Sequence, residues 1–485
     1  MLSNAINSLK VLIVASEATP FAKSGGLGDV VGSMPEALKK LGVDARVVLP
    51  KYATIKEEFV KDLEYINSVN IALGWRNQTA AVYKFQGQPS SYFIGNDYYF
   101  SRGGMYGYGD DFERFAFFTK ASLEAINIID FVPDIIHFND WQTGLGPIYL
   151  RDNYGGFTAF SKIKTLLTIH NLQYQGIFGR PILGNVGLND GYFTTDKLEF
   201  NNAVNFLKGG LLYADAISTV SNTYSYEIQT PEYGYGLDGV LRSQAHKLSG
   251  IINGIDNDMA DPKTDKHLDF NFSAKALSGK KKNKKALQER LGLPIRSDVP
   301  MIGIISRLVE QKGFDLIAVA MDEILSKDIQ LVLLGTGDSR FEGLFKHMAW
   351  LAPEKVSANI YFDEELAQKI YASSDMFLMP SLFEPCGLSQ IFSMRYGTVP
   401  IVRQTGGLAD TVTHYDSNTK QGTGFVFKNF DAYGMMWAFN EALDLYSKGG
   451  KNWEQVVKNA MNADFSWGKS AEQYVSLYER LKGNF

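Results

Sequence analysis

The chain has 485 residues, of which 45% are hydrophobic and 21% are charged, and its formal net charge at pH 7 is −5. It is too long for one hydrophobic core, so we expect two large domains of ordinary globular type. A net negative charge gives no overall basic field, which argues against bulk binding to nucleic acid or to a membrane surface. The single cysteine, Cys386, excludes an internal disulfide and agrees with a reducing compartment.

The N-terminal segment shows no charged leader followed by an apolar stretch and a cleavage site, so no signal peptide is expected. No apolar run reaches the roughly 18 residues that a membrane-spanning helix needs. We therefore predict a cytoplasmic protein. In a plant-like source the expected compartment would be the plastid stroma, although no transit peptide is recognised.

Buried strands alternate with helices in the first half of the chain, which predicts a parallel sheet with helical crossovers. The predicted strands are 10–15, 44–49, 135–138, 165–169 and 216–220, and a helix is predicted over 28–40. Several strands end in a polar turn, where α/β proteins bind ligands.

The pattern restarts in the second half and predicts a second doubly wound domain. Its predicted strands are 300–305, 330–334, 376–379 and 399–402, with a helix over 314–325. The polar region 253–285 contains a run of lysines from Lys280 to Lys285 with one asparagine, and is predicted to be a linker. We interpret the run as a solvated loop and helix start rather than a polyanion contact.

Glycine-rich or cationic turns follow predicted strands in both halves and could bind an anion. KSGGLGD at 23–29 precedes a helix whose free N–H groups would suit a phosphate or a sugar, and it matches neither a dinucleotide fingerprint nor a P-loop. The turn 306–313 brings Arg307 and Lys312 ahead of a helix, which suits a diphosphate. Two later turns, PSLFEPCGLSQ at 380–390 and TGGLAD at 405–410, repeat the small-residue design, and Glu384 could accept protons from sugar hydroxyls.

Polar residues also end the first-domain strands, in HFNDWQ at 137–142 and IHN at 169–171, where they could bind sugar hydroxyls. The glycine- and tyrosine-rich stretch around Tyr106 is predicted to be an exposed loop whose tyrosines stack on a glucan. No zinc-type spacing of His and Cys occurs, and Asp256-Asn257-Asp258 lies in a polar linker rather than at a strand end, so no metal site is expected.

Taken in order over nearly the whole chain, these motifs resemble bacterial glycogen synthase and plant starch synthase. The motifs are KSGGLGDV, HFNDWQTG, TIHNLQYQGIF, NGID, SRLVEQKG, GTGD, PSLFEPCGLSQ and TGGLADTV. The resemblance implies an α/β GT-B architecture, two Rossmann-like doubly wound domains facing across a deep cleft. The domains would be 1–252 and 253–462, the second including the linker region 253–285, with a C-terminal helix in 463–485 that crosses back to the first.

The same resemblance implies a retaining, metal-independent glucosyltransferase without a cofactor. It would transfer glucose from ADP-glucose to the non-reducing end of an α-1,4-glucan such as glycogen, starch or a maltooligosaccharide. Retention would follow from attack on the front face through a short-lived oxocarbenium-like ion pair, with the leaving phosphate taking the acceptor's proton. Stabilising the charge on that phosphate would then be the main catalytic contribution.

Roles for single residues are also implied by the resemblance. Arg307 and Lys312 would bind the donor's phosphates, while Glu384 and His170 would hold the transferred glucose. Further substrate contacts are implied for Lys23, Gly25, Gly26, Asp29, Asp140, Asn171, Asn253, Gln311, Phe362, Cys386, Gly387, Leu388, Ser389, Thr405 and Gly406, and acceptor binding for Tyr106. The chain departs from the family at Phe362, where a tyrosine usually stacks on the adenine, and at Asn139, where histidine is frequent.

Four alternatives stay open from the residues alone. UDP-glucose could replace ADP-glucose, because an aromatic ring and backbone groups tolerate both bases. A glycosidase would need a carboxylate pair at hydrolase spacing. A glucan phosphorylase would need a lysine carrying pyridoxal phosphate, for which no motif is found. An inactive glucan-binding scaffold would be expected to have lost Lys23, Arg307, Lys312 or Glu384, all of which are intact.

Overall fold

The computed structural model describes residues 8–258 and 260–483, which form two compact units. Unit 1 contains the residues up to Gly254 together with those from Trp467 onward, and unit 2 spans Ile255–Ser466. Among the helices of these described residues, none combines the length and the apolar character that crossing a bilayer requires.

Eighteen strands are found in the described residues. They are β1 Lys10–Val14, β2 Asp44–Pro50, β3 Leu63–Leu73, β4 Arg76–Phe85, β5 Ser91–Gly95, β6 Ile135–Asn139, β7 Lys164–Ile169, β8 Ile177–Gly179, β9 Glu199–Phe200, β10 Ala203–Asn205, β11 Ala216–Thr219, β12 Leu248–Gly250, β13 Met301–Ile305, β14 Gln330–Leu334, β15 Val356–Asn359, β16 Met376–Met379, β17 Val399–Arg403 and β18 Phe425–Phe427.

Nineteen α-helices accompany these strands in the same described part of the chain. They are α1 Gly26–Lys40, α2 Glu57–Val60, α3 Asp97–Phe100, α4 Asp111–Ala125, α5 Gly146–Tyr149, α6 Ile182–Asn185, α7 Phe206–Tyr213, α8 Asn222–Glu227, α9 Asp238–Ser243, α10 Ser278–Leu291, α11 Phe314–Val319, α12 Met321–Ser326, α13 Ser339–Leu351, α14 Glu364–Ser373, α15 Ser389–Arg395, α16 Gly406–Thr411, α17 Ala432–Lys448, α18 Gly450–Asn462 and α19 Trp467–Lys482.

Unit 1 is built on a nine-stranded sheet with the order β12-β11-β7-β6-β1-β2-β5-β4-β3. The strands from β12 to β5 pair in parallel, and those next to β1 are buried on both faces, which explains their continuous apolar sequences. The direction of the crossovers reverses between β1 and β6. This reversal creates a topological switch point at the carboxyl ends of these two strands.

The sequence did not predict the β3–β4 hairpin that closes one edge of this sheet. The two strands are antiparallel and are joined by a two-residue turn, Gly74-Trp75, in which Gly74 has a φ of +58°. A positive φ at the first turn position favours glycine and matches the twist of a hairpin. Many of the side chains of β3 are exposed and polar, which hides the strand from a search for buried apolar runs.

Unit 2 contains one six-stranded sheet in which all neighbouring strands pair in parallel, with the order β15-β14-β13-β16-β17-β18. This is the strand order of a Rossmann fold, and it reverses between β13 and β16. The helix predicted over 314–325 is interrupted at Ala320 (φ −92°, ψ 5°), which separates α11 from α12.

The interpretation of the lysine run as solvated is wrong for two of its members. Lys280 and Lys284 lie in α10 and are buried, whereas Lys281 and Lys282 are exposed. The Lys284 ammonium pairs with the Asp375 carboxylate at 2.7 Å. The run therefore follows the helical period, with one side packed into unit 2, and only its other side faces solvent.

The Lys280 ammonium has no carboxylate at hydrogen-bonding distance in the described residues and donates to four neutral oxygens. These are the carbonyls of Tyr371, Ala372 and Tyr396 at 2.9–3.4 Å and the hydroxyl of Thr398 at 2.8 Å. Burial lowers the pKa of Lys280 to about 7. The side chain ties α10 to the ends of α14 and α15 on unit 2.

The C-terminal helix α19 packs on unit 1. The Tyr478 hydroxyl lies 2.8 Å from Nδ1 of His137, whose Nε2 lies 2.5 Å from the Thr168 hydroxyl. His137 is fully buried, which lowers its pKa to about 3 and keeps the imidazole neutral. His137 therefore holds the helix on the sheet, and the interpretation that it binds sugar is wrong.

Candidate active site

The switch point of unit 2 brings together the turns that follow β13 and β16. Leu382 donates its N–H to the carbonyl of Gln311 at 2.8 Å, and the buried Gln311 side chain donates to the carbonyl of Phe383 at 3.2 Å. A parallel sheet gathers the carboxyl ends of its strands at one edge. The cationic turn and the turn that carries Glu384 therefore form one surface within this unit.

Lys312 and Glu384 form a direct ion pair on that surface. The Lys312 ammonium lies 2.6 Å from Oε2 of Glu384, and the Ser381 hydroxyl donates to the same oxygen at 3.1 Å. Glu384 is only 6% exposed. An ammonium and a carboxylate therefore lie next to each other on this surface. The other carboxylate oxygen, Oε1, forms no hydrogen bond to a described residue.

Two glycines allow the turns to approach so closely. A Cβ at Gly313 (φ +74°) would overlap the carbonyl oxygen of Pro380, and a Cβ at Gly406 (φ +44°) would overlap that of Glu384. Both positions combine a left-handed backbone with direct contact to another backbone, which only glycine tolerates. The turn after β17 is thereby packed against the turn that carries the carboxylate.

The remaining predicted residues of unit 2 differ in exposure. Arg307 is exposed and forms no ion pair with any described residue, and the Phe362 ring is 78% exposed. Cys386 and Thr405 are buried, whereas Gly387, Leu388 and Ser389 are half-buried where α15 begins. Arg307, Phe362 and the start of α15 can therefore be reached by a ligand, while Cys386 and Thr405 support the turns.

In unit 1 the polar residues at the ends of β6 and β7 form one network. Nε2 of His170 lies 2.9 Å from the side-chain oxygen of Asn139, and the backbone N–H of His170 donates to the Asp140 carboxylate at 2.7 Å. Burial lowers the pKa of His170 to about 3, so the imidazole is neutral. A neutral imidazole can accept a hydrogen bond from a sugar hydroxyl at one nitrogen and donate one to a hydroxyl from the other.

Asp140 stands out in conformation and in charge. It has a φ of +57°, a strained value for a residue other than glycine. Burial raises its pKa to about 7, and the neighbouring carboxylate of Glu17 acts in the same direction, while hydrogen bonds from the backbone of His170 and Asn171 act against it. The strained backbone and the shifted pKa make Asp140 a candidate functional residue at the switch point.

Glu17, which the sequence did not single out, organises the glycine-rich turn. Its carboxylate accepts hydrogen bonds from the backbone N–H and hydroxyl of Ser24, both at 2.6 Å, and from the N–H of Gly25 at 3.3 Å. The N–H groups of Ser24 and Gly25 are therefore bonded to this carboxylate, whereas the N–H groups predicted to bind an anion belong to the helix that begins at Gly26. Glu17 lies three residues after the end of β1, at the switch point, and this position is the signal that could have identified it.

The Tyr106 hydroxyl lies 2.7 Å from the Glu17 carboxylate and 2.8 Å from the Ser16 hydroxyl. Tyr106 is half-buried, so the prediction of an exposed tyrosine loop is wrong for this residue. Lys23 and Asp29 form an ion pair at 2.8 Å beside the same turn.

Two further predicted residues lie in unit 1. Asn253 is 4% exposed, and its side-chain oxygen has no hydrogen-bond partner among residues 8–258 and 260–483. Asn171 is half-buried and accepts from the N–H of Gln173 at 3.0 Å. Over the same described ranges, no group of three or more His, Cys, Asp or Glu side chains is arranged to hold a metal ion.

Two family models match the chain, one for each half. Residues 10–243 match the starch synthase catalytic domain, and residues 287–462 match the glycosyl transferases of group 1. The chain is 51% identical to a glycogen synthase of Clostridium acetobutylicum over 474 residues, which covers 97% of this chain and 99% of that protein. The chain belongs to the glycogen synthase family. The prediction of a glycosyltransferase of this family is thereby confirmed.

Other family members match over the same extent. A glycogen synthase of Alkaliphilus metalliredigens is 49% identical and is covered completely, with 98% of this chain aligned. Among solved structures, the catalytic domain of starch synthase IV from Arabidopsis thaliana, bound to ADP and acarbose, matches with a TM-score of 0.92 and 37% identity, covering 98% of this chain and 100% of that one. Two α/β units with parallel sheets are the GT-B fold class of this family, as predicted.

Proposed function

We propose that this member of the family transfers glucose from ADP-glucose to the non-reducing end of an α-1,4-glucan and retains the anomeric configuration. The names of the similar glycogen synthases and the ADP and acarbose in the similar starch synthase support both substrates. Glycogen, starch and maltooligosaccharides are the acceptors we expect, and the cytoplasm is the compartment in which a bacterial relative would act.

The observation that carries this proposal is the paired Lys312 and Glu384 beside the exposed Arg307 at the switch point of unit 2. In a sugar nucleotide a diphosphate joins the nucleoside to the sugar, and this diphosphate gains negative charge as its bond to the sugar breaks. A guanidinium and an ammonium supply the opposite charge, and removing one such group typically costs about 3–4 kcal/mol of transition-state stabilisation. A carboxylate next to the ammonium can accept hydrogen bonds from the sugar.

In the proposed reaction, the bond between C1 of glucose and the β-phosphate oxygen breaks, and that oxygen keeps the electron pair. The 4-hydroxyl oxygen of the terminal glucan unit forms the new bond to C1 on the same face, and its proton passes to the leaving phosphate. Arg307 and Lys312 offset the charge on this phosphate. We propose that the transfer needs no metal ion and no cofactor, because these side chains supply the charge.

We propose roles for the other residues accordingly. Glu384 accepts from sugar hydroxyls, with N–H groups where α15 begins assisting at the phosphates and Phe362 stacking on the base. In unit 1, His170, Asp140 and Asn171 bind sugar hydroxyls. The unpartnered side-chain oxygen of Asn253 and the position of Lys23 beside Asp29 support further contacts in this unit.

Release of nucleotide tests this proposal. We expect ADP release from ADP-glucose that requires maltotriose, persists in EDTA and exceeds UDP release from UDP-glucose. The matched variants are Arg307→Ala and Arg340→Ala, because Arg340 is an exposed arginine of the same unit that pairs with Asp315. We expect the first to lose most turnover and the second to keep it. Faster turnover with UDP-glucose would contradict the donor, and no release from either donor would favour the inactive scaffold.

A further inference from the structure

The side-chain amide of Asn139 can adopt only one orientation. Asn139 ends β6 and is 1% exposed. Its nitrogen donates to the backbone carbonyls of Val14 and His137, each at 3.2 Å. In the opposite orientation, the amide oxygen would face these two carbonyl oxygens without a hydrogen between them, and the buried nitrogen would lose two acceptors. The amide oxygen of Asn139 must therefore face His170.

This orientation fixes the proton on the imidazole of His170. The amide oxygen can only accept, so Nε2 of His170, at 2.9 Å, must carry a hydrogen. A neutral imidazole has one N–H and one lone pair, which leaves the lone pair on Nδ1. No described residue donates a hydrogen bond to Nδ1, and the side chain of His170 is half-buried rather than enclosed.

We propose that Asn139 is a positioning residue that holds His170 in the neutral form protonated at Nε2, so that Nδ1 accepts a hydrogen bond from a sugar hydroxyl. This inference rests on the proposed role of His170 in binding sugar. The inference assigns the direction of that hydrogen bond, from the sugar hydroxyl to Nδ1 of His170. It also gives Asn139 a function, which is to position the imidazole.

The ionisable groups around His170 are arranged so that none of them forms an ion pair with the ring. The Asp140 carboxylate accepts from the backbone N–H of His170. The Glu17 carboxylate accepts from Ser24 and Tyr106, and the His137 imidazole is bonded to Tyr478 and Thr168. A neutral amide at position 139 therefore leaves the ring without a hydrogen-bonded anion. An aspartate there would place an oxygen against the carbonyls of Val14 and His137. In its ionised form it would stabilise the imidazolium, which has two N–H groups and no lone pair.

The first test uses the unmodified protein. In protein labelled with 15N in its six histidines, with the signals of His170 assigned from the His170→Gln spectrum, we expect the neutral form with the hydrogen on Nε2 from pH 6 to pH 8. A hydrogen on Nδ1, or an imidazolium in this range, would overturn the inference. If this form is found but no glucosyl transfer occurs, the proposed function fails and the assigned tautomer stands.

The second test is the pH profile of Asn139→Asp, with Asn77→Asp as the control that adds the same charge at an exposed position of β4. Relative to the unmodified protein, the turnover of Asn139→Asp should fall about tenfold for each pH unit below the pKa that His170 acquires, and recover above it. The control should follow the unmodified protein at every pH. A uniform loss at all pH values in a folded Asn139→Asp protein would overturn the inference.

Discussion

Replacing Lys312 with methionine should affect stability and turnover through two separable causes. The change leaves the Glu384 carboxylate, 6% exposed, with Ser381 at 3.1 Å as the only side chain in the described residues that donates to it. Removing one partner of a buried ion pair costs about 3–5 kcal/mol, and we expect the lower value because the Lys312 side chain is 16% exposed. In a unit of this size, about 3 kcal/mol corresponds to a fall in Tm of roughly 6–12 °C.

The double variant Lys312→Met/Glu384→Gln separates the two causes. A neutral carboxamide needs no counter-ion, so calorimetry should show that most of the lost stability returns. Turnover should not return, because the ammonium that offsets phosphate charge is still missing, and its loss should cost about 100- to 1,000-fold in acceptor-dependent ADP release. A double variant as unstable as Lys312→Met, or one that regains turnover, would contradict the separation of these two causes.

Three further outcomes are expected. Gly313→Ala should destabilise unit 2 and lower turnover, since its Cβ would overlap a backbone carbonyl. Gly343→Ala lies inside α13 and meets no atom within 4 Å, so it should keep turnover and raise the unfolding temperature slightly. Phe362→Ala should raise KM for ADP-glucose by about tenfold, because it loses a stacking ring worth roughly 1.4 kcal/mol, whereas Phe362→Tyr should keep the KM of the unmodified protein. Equal KM values for Phe362→Ala and the unmodified protein would contradict stacking. Burial lowers the pKa of Lys280 to about 7 from 10.5. Between pH 7 and pH 10.5 the unfolded chain therefore binds more protons than the folded chain at this residue. The free energy of unfolding should rise with pH over this range. In urea unfolding measured at several pH values, Lys280→Met should reduce the increase of the unfolding free energy with pH. The exposed Lys281→Met should leave this increase unchanged.

The strands at the centre of both sheets could be predicted because parallel strands that are buried on both faces carry continuous apolar sequence. The predicted strand 330–334 agrees with β14, and 376–379 agrees with β16. The turns that follow these strands could then be identified as candidate sites, because the topology of a parallel sheet brings the carboxyl ends of its strands to one edge.

What could not be predicted depends on partners that are distant in sequence. The Lys280 ammonium donates to Tyr396 and Thr398, 116 and 118 positions later, and no local pattern distinguishes such a lysine from a solvated one. Glu17 bonds to Tyr106, 89 positions away, and thereby changes both the turn at Ser24 and the exposure of the tyrosine. In each case a tertiary contact decides whether a polar group is available to a ligand.

Real-time proton NMR of the purified protein with ADP-glucose and maltotriose detects both the transfer of glucose and the configuration of the bond that forms. We predict a new α-1,4 anomeric signal that grows in proportion to the ADP released and is largely lost in Arg307→Ala. Free glucose in place of a longer glucan, or a β-configured product, would contradict this prediction.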